Sequence, residues 1–599
     1  MIIGDRRRPM FDAVILHRVV LVWLVLCVVL LATNAGAIWQ TRFPDGDDTL
    51  RLVEVRDWLA GQSWFDVHQY RIFAPLGVAM HWSRLVDVPI AAIIVVLTPL
   101  FGQSFAETAA LVTVPLLTLG CVMLLVGRLA WKLFDEEIAG LACLACALAV
   151  PVVQQLRPMR IDHHGWQIVA MLVALNGLMA RDARRGGYAI GTALAVWLAI
   201  SIEGLPMAVA FVAITALKWL RNRADRAWMV NTMQSLALTS AALFLLTRGV
   251  GDLSQHCDAI SPVHLAIFAW GAVVVTIVAA MEPHPRAFTL AGMALSAAGG
   301  LVIVHQAAPQ CMGGAFVAID PVVRAYWYEG VAEGLPVWHQ SLSEALQMLV
   351  PPVLGLIIAL GRFGASRDWL RRWWLDYAIL LFAATMVAMF VARAAGVACV
   401  IAALPIGYQL REWIRSARNM RRPGRRALAL AGVALALAPA LPVYVLMAAT
   451  PGQAAAASPA GASAARESSP PPAHVANCVM DTAALDTLAP TRILAPLDVG
   501  PRLLYATHHS VLATAHHRAA PAMRDVIDAF RGDERQARAI MARRGLTLIA
   551  LCPDIAESRL YAGSAPHGMM ARLIGGAAPA WLERVRLGNG DLMVWRIVG

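Results

Sequence analysis

Charge is what this chain has least of. Asp, Glu, Lys and Arg make up 15% of 599 residues against 59% hydrophobic ones, and mean hydropathy is +0.61. So little charge excludes a soluble globular protein and points to repeated membrane spans. A concentrated basic patch is also missing. Lys+Arg 50 against Asp+Glu 39 gives a net charge of +11, but the arginines are scattered through short loops between apolar runs. That distribution excludes a nucleic-acid binder and matches the positive-inside pattern. No internal repeat is visible, which counts against a transporter built from symmetric halves. No small-residue cleavage pattern follows the first apolar run, so residues 14–37, behind Arg6, Arg7 and Arg8, read as a retained helix with a cytoplasmic N-terminus. Finger-type zinc spacing is absent as well: His508, His509, His516 and His517 lack Cys or acidic partners and read as surface or domain-interface residues. Cys143 and Cys146 have CxxC spacing inside an apolar run, where helix packing explains them. Cys257 with Cys311, and Cys478 with Cys552, are candidate disulfide pairs if their segments lie outside the cytoplasm.

What is present is a succession of apolar runs. Residues 88–101 are short, with Pro89 and Pro99 near the ends, and read as an interfacial or re-entrant piece. Further runs at 106–129, 138–153, 168–180, 188–200, 206–219, 229–247, 262–281, 287–305, 345–361, 376–392, 394–410 and 427–448 bring the expected spans to about thirteen. The expected fold class is therefore a polytopic α-helical membrane protein with a small C-terminal extracytoplasmic α/β domain. Its parts are a transmembrane domain over 1–450, an Ala/Ser/Pro-rich flexible linker over 451–474, and the α/β domain over 475–599. In the last, 492–495 and 546–551 read as short buried strands and 522–544 as helical with turns.

Three polar islands interrupt the apolar sequence, all on the expected outer side. The first outer loop carries Asp45, Asp47 and Asp48, carboxylates close enough to favour a cation or simply to make a solvated turn. Arg160-Ile161-Asp162-His163-His164 offers carboxylate oxygen and imidazole nitrogen to a divalent ion. A third loop holds Glu329 and Glu333 among aromatics, with Gly330 and Gly334 arguing for turns rather than helix. Arg393 stands alone between two apolar runs, where its planar fork suits a carboxylate or a phosphate. Acids for a metal and an arginine for phosphate together point to a reaction on a lipid-linked phosphate at the outer face.

The order and spacing of these islands resemble the catalytic subunit of oligosaccharyltransferase, a membrane glycosyltransferase of the GT-C superfamily. Asp47-Asp48-Thr49-Leu50-Arg51-Leu52-Val53-Glu54-Val55-Arg56-Asp57 is similar to that family's first motif, and Asp162-His163-His164 resembles its archaeal second motif. Val331-Ala332-Glu333-Gly334-Leu335-Pro336 resembles the late-loop motif containing Glu. The resemblance implies a GT-C fold, with Asp47, Asp162 and His164 as ligands of Mn²⁺ or Mg²⁺. Asp47 and Glu333 would be catalytic, Arg393 would hold the donor phosphate, and Asp48, His163, Glu329 and Asp498 are secondary candidates. It also implies a polyprenyl-linked sugar donor, a protein, lipid or polysaccharide acceptor, and residence in a bacterial inner membrane among its lipids, with a periplasmic C-terminal domain. The family's Trp-Trp-Asp-Tyr-Gly run is replaced by Pro496-Leu497-Asp498-Val499-Gly500, so only the donor half carries over and the acceptor stays open. The rival reading from another class is a transporter or flippase for a lipid-linked or polar substrate.

Overall fold

The computed structural model describes residues 13–314, 316, 319–449, 478–587 and 590–598; the expected linker 451–474 lies outside them. The described chain divides into two compact units. One comprises residues 13–36, 83–314 and 332–449, and the other 37–82, 316–331 and 478–598.

The first unit is helical. Ten helices among the described residues are long and apolar enough to cross a membrane, from Ala13–Trp39 to Ala392–Arg418. The protein is therefore a multi-pass membrane protein, although the count of about thirteen is not reproduced. Large apolar side chains such as Val28, Leu238 and Leu301 point outward at 66%, 72% and 62% exposure, as lipid-facing residues do. Three segments differ from expectation, the first being the run 427–448, which is split into helices Pro423–Leu437 and Leu441–Ala449. Residues 84–101 form one 18-residue helix, long and apolar enough to span, rather than a short interfacial piece. It gains a turn because Ser83 caps it and Arg84 pairs with Asp87 at 3.3 Å, both side chains 1% exposed. The run 138–153 instead breaks into helices Glu136–Leu148 and Val150–Gln154. Pro151 lacks an N–H and clashes with the preceding turn, which ends the longer helix just before it.

Helix Ala395–Arg418 is buried along most of its length and packs on Glu136–Leu148, Leu342–Ala365 and Asp368–Phe390. Small residues permit this: a Cβ on Gly407 would stand 2.5 Å from the Ala142 backbone nitrogen. Cys143 and Cys146 are buried in that packing as free thiols.

The second unit is α/β. Its five-stranded sheet runs Ser510–Val511, Arg492–Leu494, Leu548–Leu551, Met593–Ile597, Leu582–Val585, the first three parallel and the last two antiparallel. All four residues of Leu548–Leu551 are buried, as a continuous apolar run in mid-sheet requires. Helices Ala520–Arg531 and Glu534–Arg544 pack beside it, the second ending at Gly545 with φ +62°, the left-handed cap that glycine supplies without strain. Residues 37–82 share this core: Leu50, Val53, Ile72, Val78, Met80 and Trp82 are buried with the strand residues. Disulfides Cys478–Cys552 and, in the first unit, Cys257–Cys311 are both formed.

Candidate functional site

Asp162 lies in the turn that leads into helix His164–Gly177, and both flanking histidines turn toward it. Its Oδ1 accepts from the His163 backbone N–H at 2.6 Å and also meets His163 Nδ1; its Oδ2 lies 3.2 Å from His164 Nε2. All three residues are about 5% exposed, and their ligand atoms lie within 4.8 Å of one another.

From His164 a chain of polar groups runs across the first unit. Trp197 Nε1 donates to Gln167 Oε1 at 2.9 Å, which turns the Gln167 amide nitrogen to within 3.2 Å of His164 Nδ1 and 3.4 Å of Glu203 Oε2. Glu203 Oε1 pairs with Arg393 Nη1 at 3.0 Å. Arg393 also reaches Glu333 Oε1 at 3.5 Å, and Glu333 Oε2 meets Arg160 Nη2 at 3.4 Å. Gln155 Nε2 donates to the Arg393 carbonyl at 2.7 Å, fixing the short turn Ala392–Ala394 that presents the guanidinium. Two guanidiniums and three carboxylates take part, so with neutral histidines these groups carry one net negative charge. Such a cluster at the end of apolar helices is costly to assemble and favours an added cation.

The sequence-predicted residues thus fall into two sets. Asp162, His163, His164, Glu333 and Arg393 belong to this network. Asp47, Asp48, Glu329 and Asp498 belong to the second unit. Asp47 and Asp48 open helix Gly46–Leu59, where the Asp45 carboxylate caps both backbone N–H groups at 2.8 and 3.3 Å. Downstream in the same helix, Arg51 is fully buried with its guanidinium 4.7 Å from the centre of the Trp82 ring. Arg56 donates to the Tyr505 carbonyl at 2.8 Å, and Asp57 accepts from Gln69 at 2.7 Å; the later residues of the first motif hold the unit together. Glu329 sits exposed in the turn Tyr328–Gly330, and Asp498 is exposed beside the buried Glu557. From sequence alone Glu203, in the hairpin between the runs 188–200 and 206–219, could line a cavity or merely sit at the interface, and nothing singles out Gln167. Neither carries a local signal, because the partners that give each its role, Trp197 and Glu203 for Gln167 and Arg393 for Glu203, lie some thirty to two hundred residues away.

No protein-family model matches the chain, nor does any curated protein. Solved structures do. The archaeal oligosaccharyltransferase AglB of Archaeoglobus fulgidus, in complex with an inhibitory peptide and a dolichol-phosphate, has a similar fold at a TM-score of 0.62 and 15% identity, over 94% of this chain and 72% of that one. The A. fulgidus enzyme tethered to an acceptor peptide with an NVT sequon gives 0.62 and 16%, over 97% and 74%. Its complex with Zn and sulfate gives 0.59 and 15%, over 91% and 70%. At these identities the likeness is one of fold: a largely helical chain with a C-terminal sheet domain.

Proposed function

We propose that this chain is a membrane glycosyltransferase that moves a sugar or oligosaccharide from a polyprenyl-phosphate or polyprenyl-pyrophosphate carrier to an acceptor. The reaction would run at the outer face of a bacterial inner membrane, with the α/β domain periplasmic. The observation that carries this reading is the unbroken network from Asp162 through His164, Gln167 and Glu203 to Arg393, on a fold similar to oligosaccharyltransferase. The dolichol-phosphate of one neighbour and the acceptor peptide of another support a lipid-linked donor and a peptide-like acceptor; lipid and polysaccharide acceptors remain in the proposal.

A carboxylate with two imidazoles within 4.8 Å, buried and part of a net negative cluster, fits a divalent cation, and the imidazole share suits Mn²⁺ better than oxygen-loving Mg²⁺. Asp162 and His164, with His163 as alternate, would hold the ion, which when bound would neutralise charge on the departing phosphate. Arg393, steadied by Glu203 and by Gln155 at its carbonyl, grips a phosphate oxygen through its fork. Glu333, with its side chain 37% exposed, takes the acceptor's proton as the new bond to the anomeric carbon forms and the old C–O bond breaks, its electrons leaving with the phosphate. Gln167 and Glu203 orient His164 and Arg393, a supporting role whose loss costs about 10–100-fold.

The test is transfer from a synthetic polyprenyl-linked sugar by purified protein. Asp162→Ala should abolish product while membrane insertion and elution profile stay unchanged, and Gln167→Ala should retain a reduced rate. Full activity in Asp162→Ala would refute the assignment. Mass spectrometry of glycoconjugates in a deletion strain identifies the acceptor.

A further inference from the structure

A second cluster of metal-ligand type lies in the other unit, built from histidines that local spacing does not connect. His81 follows strand Val78–Ala79, and His516 and His517 stand at the start of the turn His517–Ala519. They are 435 residues apart in sequence, yet His81 Nδ1 and His516 Nε2 are 2.9 Å apart. The three ring centroids form a nearly equilateral triangle with sides of 5.0, 4.9 and 5.0 Å. One nitrogen from each ring lies within 4.8 Å of the other two.

The surroundings hold the rings in this arrangement. His516 is 2% exposed, and the other two rings are half-buried. Trp82 packs edge-on to His516 at 5.7 Å, and Phe316 edge-on to His517 at 5.0 Å. Arg518, next in the turn, donates to the carbonyls of Ala79 at 3.1 Å and Met80 at 3.5 Å, just before His81. Both backbones that carry the imidazoles are thereby tied to each other. His508, His509, His516 and His517, read from sequence as surface or domain-interface residues, divide into two pairs. His508 pairs with Asp486 at 2.8 Å and His509 meets the Leu485 carbonyl at 2.8 Å, whereas His516 and His517 turn to His81.

We propose that His81, His516 and His517 form a binding site for a late first-row divalent cation, zinc above all, that clasps the 37–82 segment to the α/β domain. Three neutral imidazoles are borderline-soft ligands that suit zinc, copper, nickel and cobalt and discriminate against Mg²⁺ and Ca²⁺. Tetrahedral zinc with Zn–N bonds of 2.0–2.1 Å separates its nitrogens by about 3.3 Å, so the rings need only small adjustments about a common centre. The inference does not rest on glycosyl transfer; it uses none of the residues assigned to that reaction.

The experiment uses untagged full-length protein in detergent, stripped with chelator, in an Asp162→Ala/His164→Ala background that silences the other cluster. Titration with ZnCl2, with metal analysis after dialysis, should give one tightly bound zinc per chain and a rise in melting temperature. His81→Gln and His517→Gln should each weaken binding at least tenfold with an unchanged circular dichroism spectrum, whereas His508→Gln should not. Absence of zinc in the parent background, or undiminished affinity in the His81→Gln and His517→Gln variants, would overturn the site. Because both arms lie outside the Asp162 cluster, a failure here leaves the transferase reading standing, and the reverse.

Discussion

Glu557 shows how much one buried carboxyl can carry. Its Oε1 accepts from the Leu497 backbone N–H at 2.7 Å and from the Tyr561 hydroxyl at 2.7 Å, and its Oε2 from the Asp498 N–H at 2.9 Å. Burial, and then the neighbouring Asp498 carboxylate, nevertheless push its pKa up to about 8. A folded-state value above the unfolded one means that the native state binds the proton more tightly. The stabilisation is full at pH below the ordinary glutamate range and is lost as pH rises through about 8. The melting temperature of the α/β unit should therefore fall between pH 5 and 9. Asp498→Asn, which removes the like charge, should flatten that fall; equal slopes in the two proteins would contradict the pairing. Asp498 was legible in the sequence because it sits in a recognisable run. Glu557 was not, since its significance depends on a loop some sixty residues away. The same holds for His81, a lone histidine in sequence and one of three in space. Asp162 with His163 and His164 was visible because all three donors are consecutive in the chain.

At the scale of elements, hydropathy and length located nearly every long helix, because a run of apolar residues in lipid has no alternative but to satisfy its own backbone. Boundaries shifted where a cap or a proline intervened, as at Ser83 and Pro151. What hydropathy does not reveal is which helices touch. Helix Ala183–Ile200 lies along Arg226–Thr247 through Gly186, Gly187 and Gly191, and Thr232 Oγ1 donates to the Gly187 carbonyl at 3.3 Å. A Cβ on Gly191 would come within 2.1 Å of the Thr232 carbonyl oxygen, too close for any side chain without separating the helices. Gly191→Leu should destabilise the protein by about 3 kcal/mol or more, read as a lowered melting temperature or loss of a monodisperse peak. Gly140→Ala, in a helix where an added Cβ meets nothing within 4 Å, should be neutral or slightly stabilising. An equal effect of the two substitutions would show that helix propensity, not close approach, governs both sites.

At the scale of the molecule, the sequence separates a membrane part from a C-terminal α/β part, which is as far as chain continuity can lead. The second unit also recruits residues 37–82 and 316–331, drawn in by buried faces rather than by proximity along the chain. Composition of a local window carries no trace of such recruitment. The Cys478–Cys552 bridge closes a separation of 74 residues within this unit, and loop entropy alone predicts about 4 kcal/mol of stabilisation from a closure of that length. Paired replacement with serine should lower the midpoint of thermal unfolding markedly. Reductant should lower the wild-type midpoint further than the variant's, in which only Cys257–Cys311 is left to reduce.

The interleaving sets a timetable for biosynthesis. Strand Met593–Ile597 pairs on both sides within the sheet, so the α/β layer is incomplete until the ribosome has passed Ile597. Residues 37–82 emerge hundreds of codons earlier, carrying Leu50, Ile72 and Trp82 with nothing yet to cover them. A premature stop anywhere after the last transmembrane helix therefore strands a sticky early segment, and such nascent fragments should be cleared by proteolysis long before the intact polypeptide.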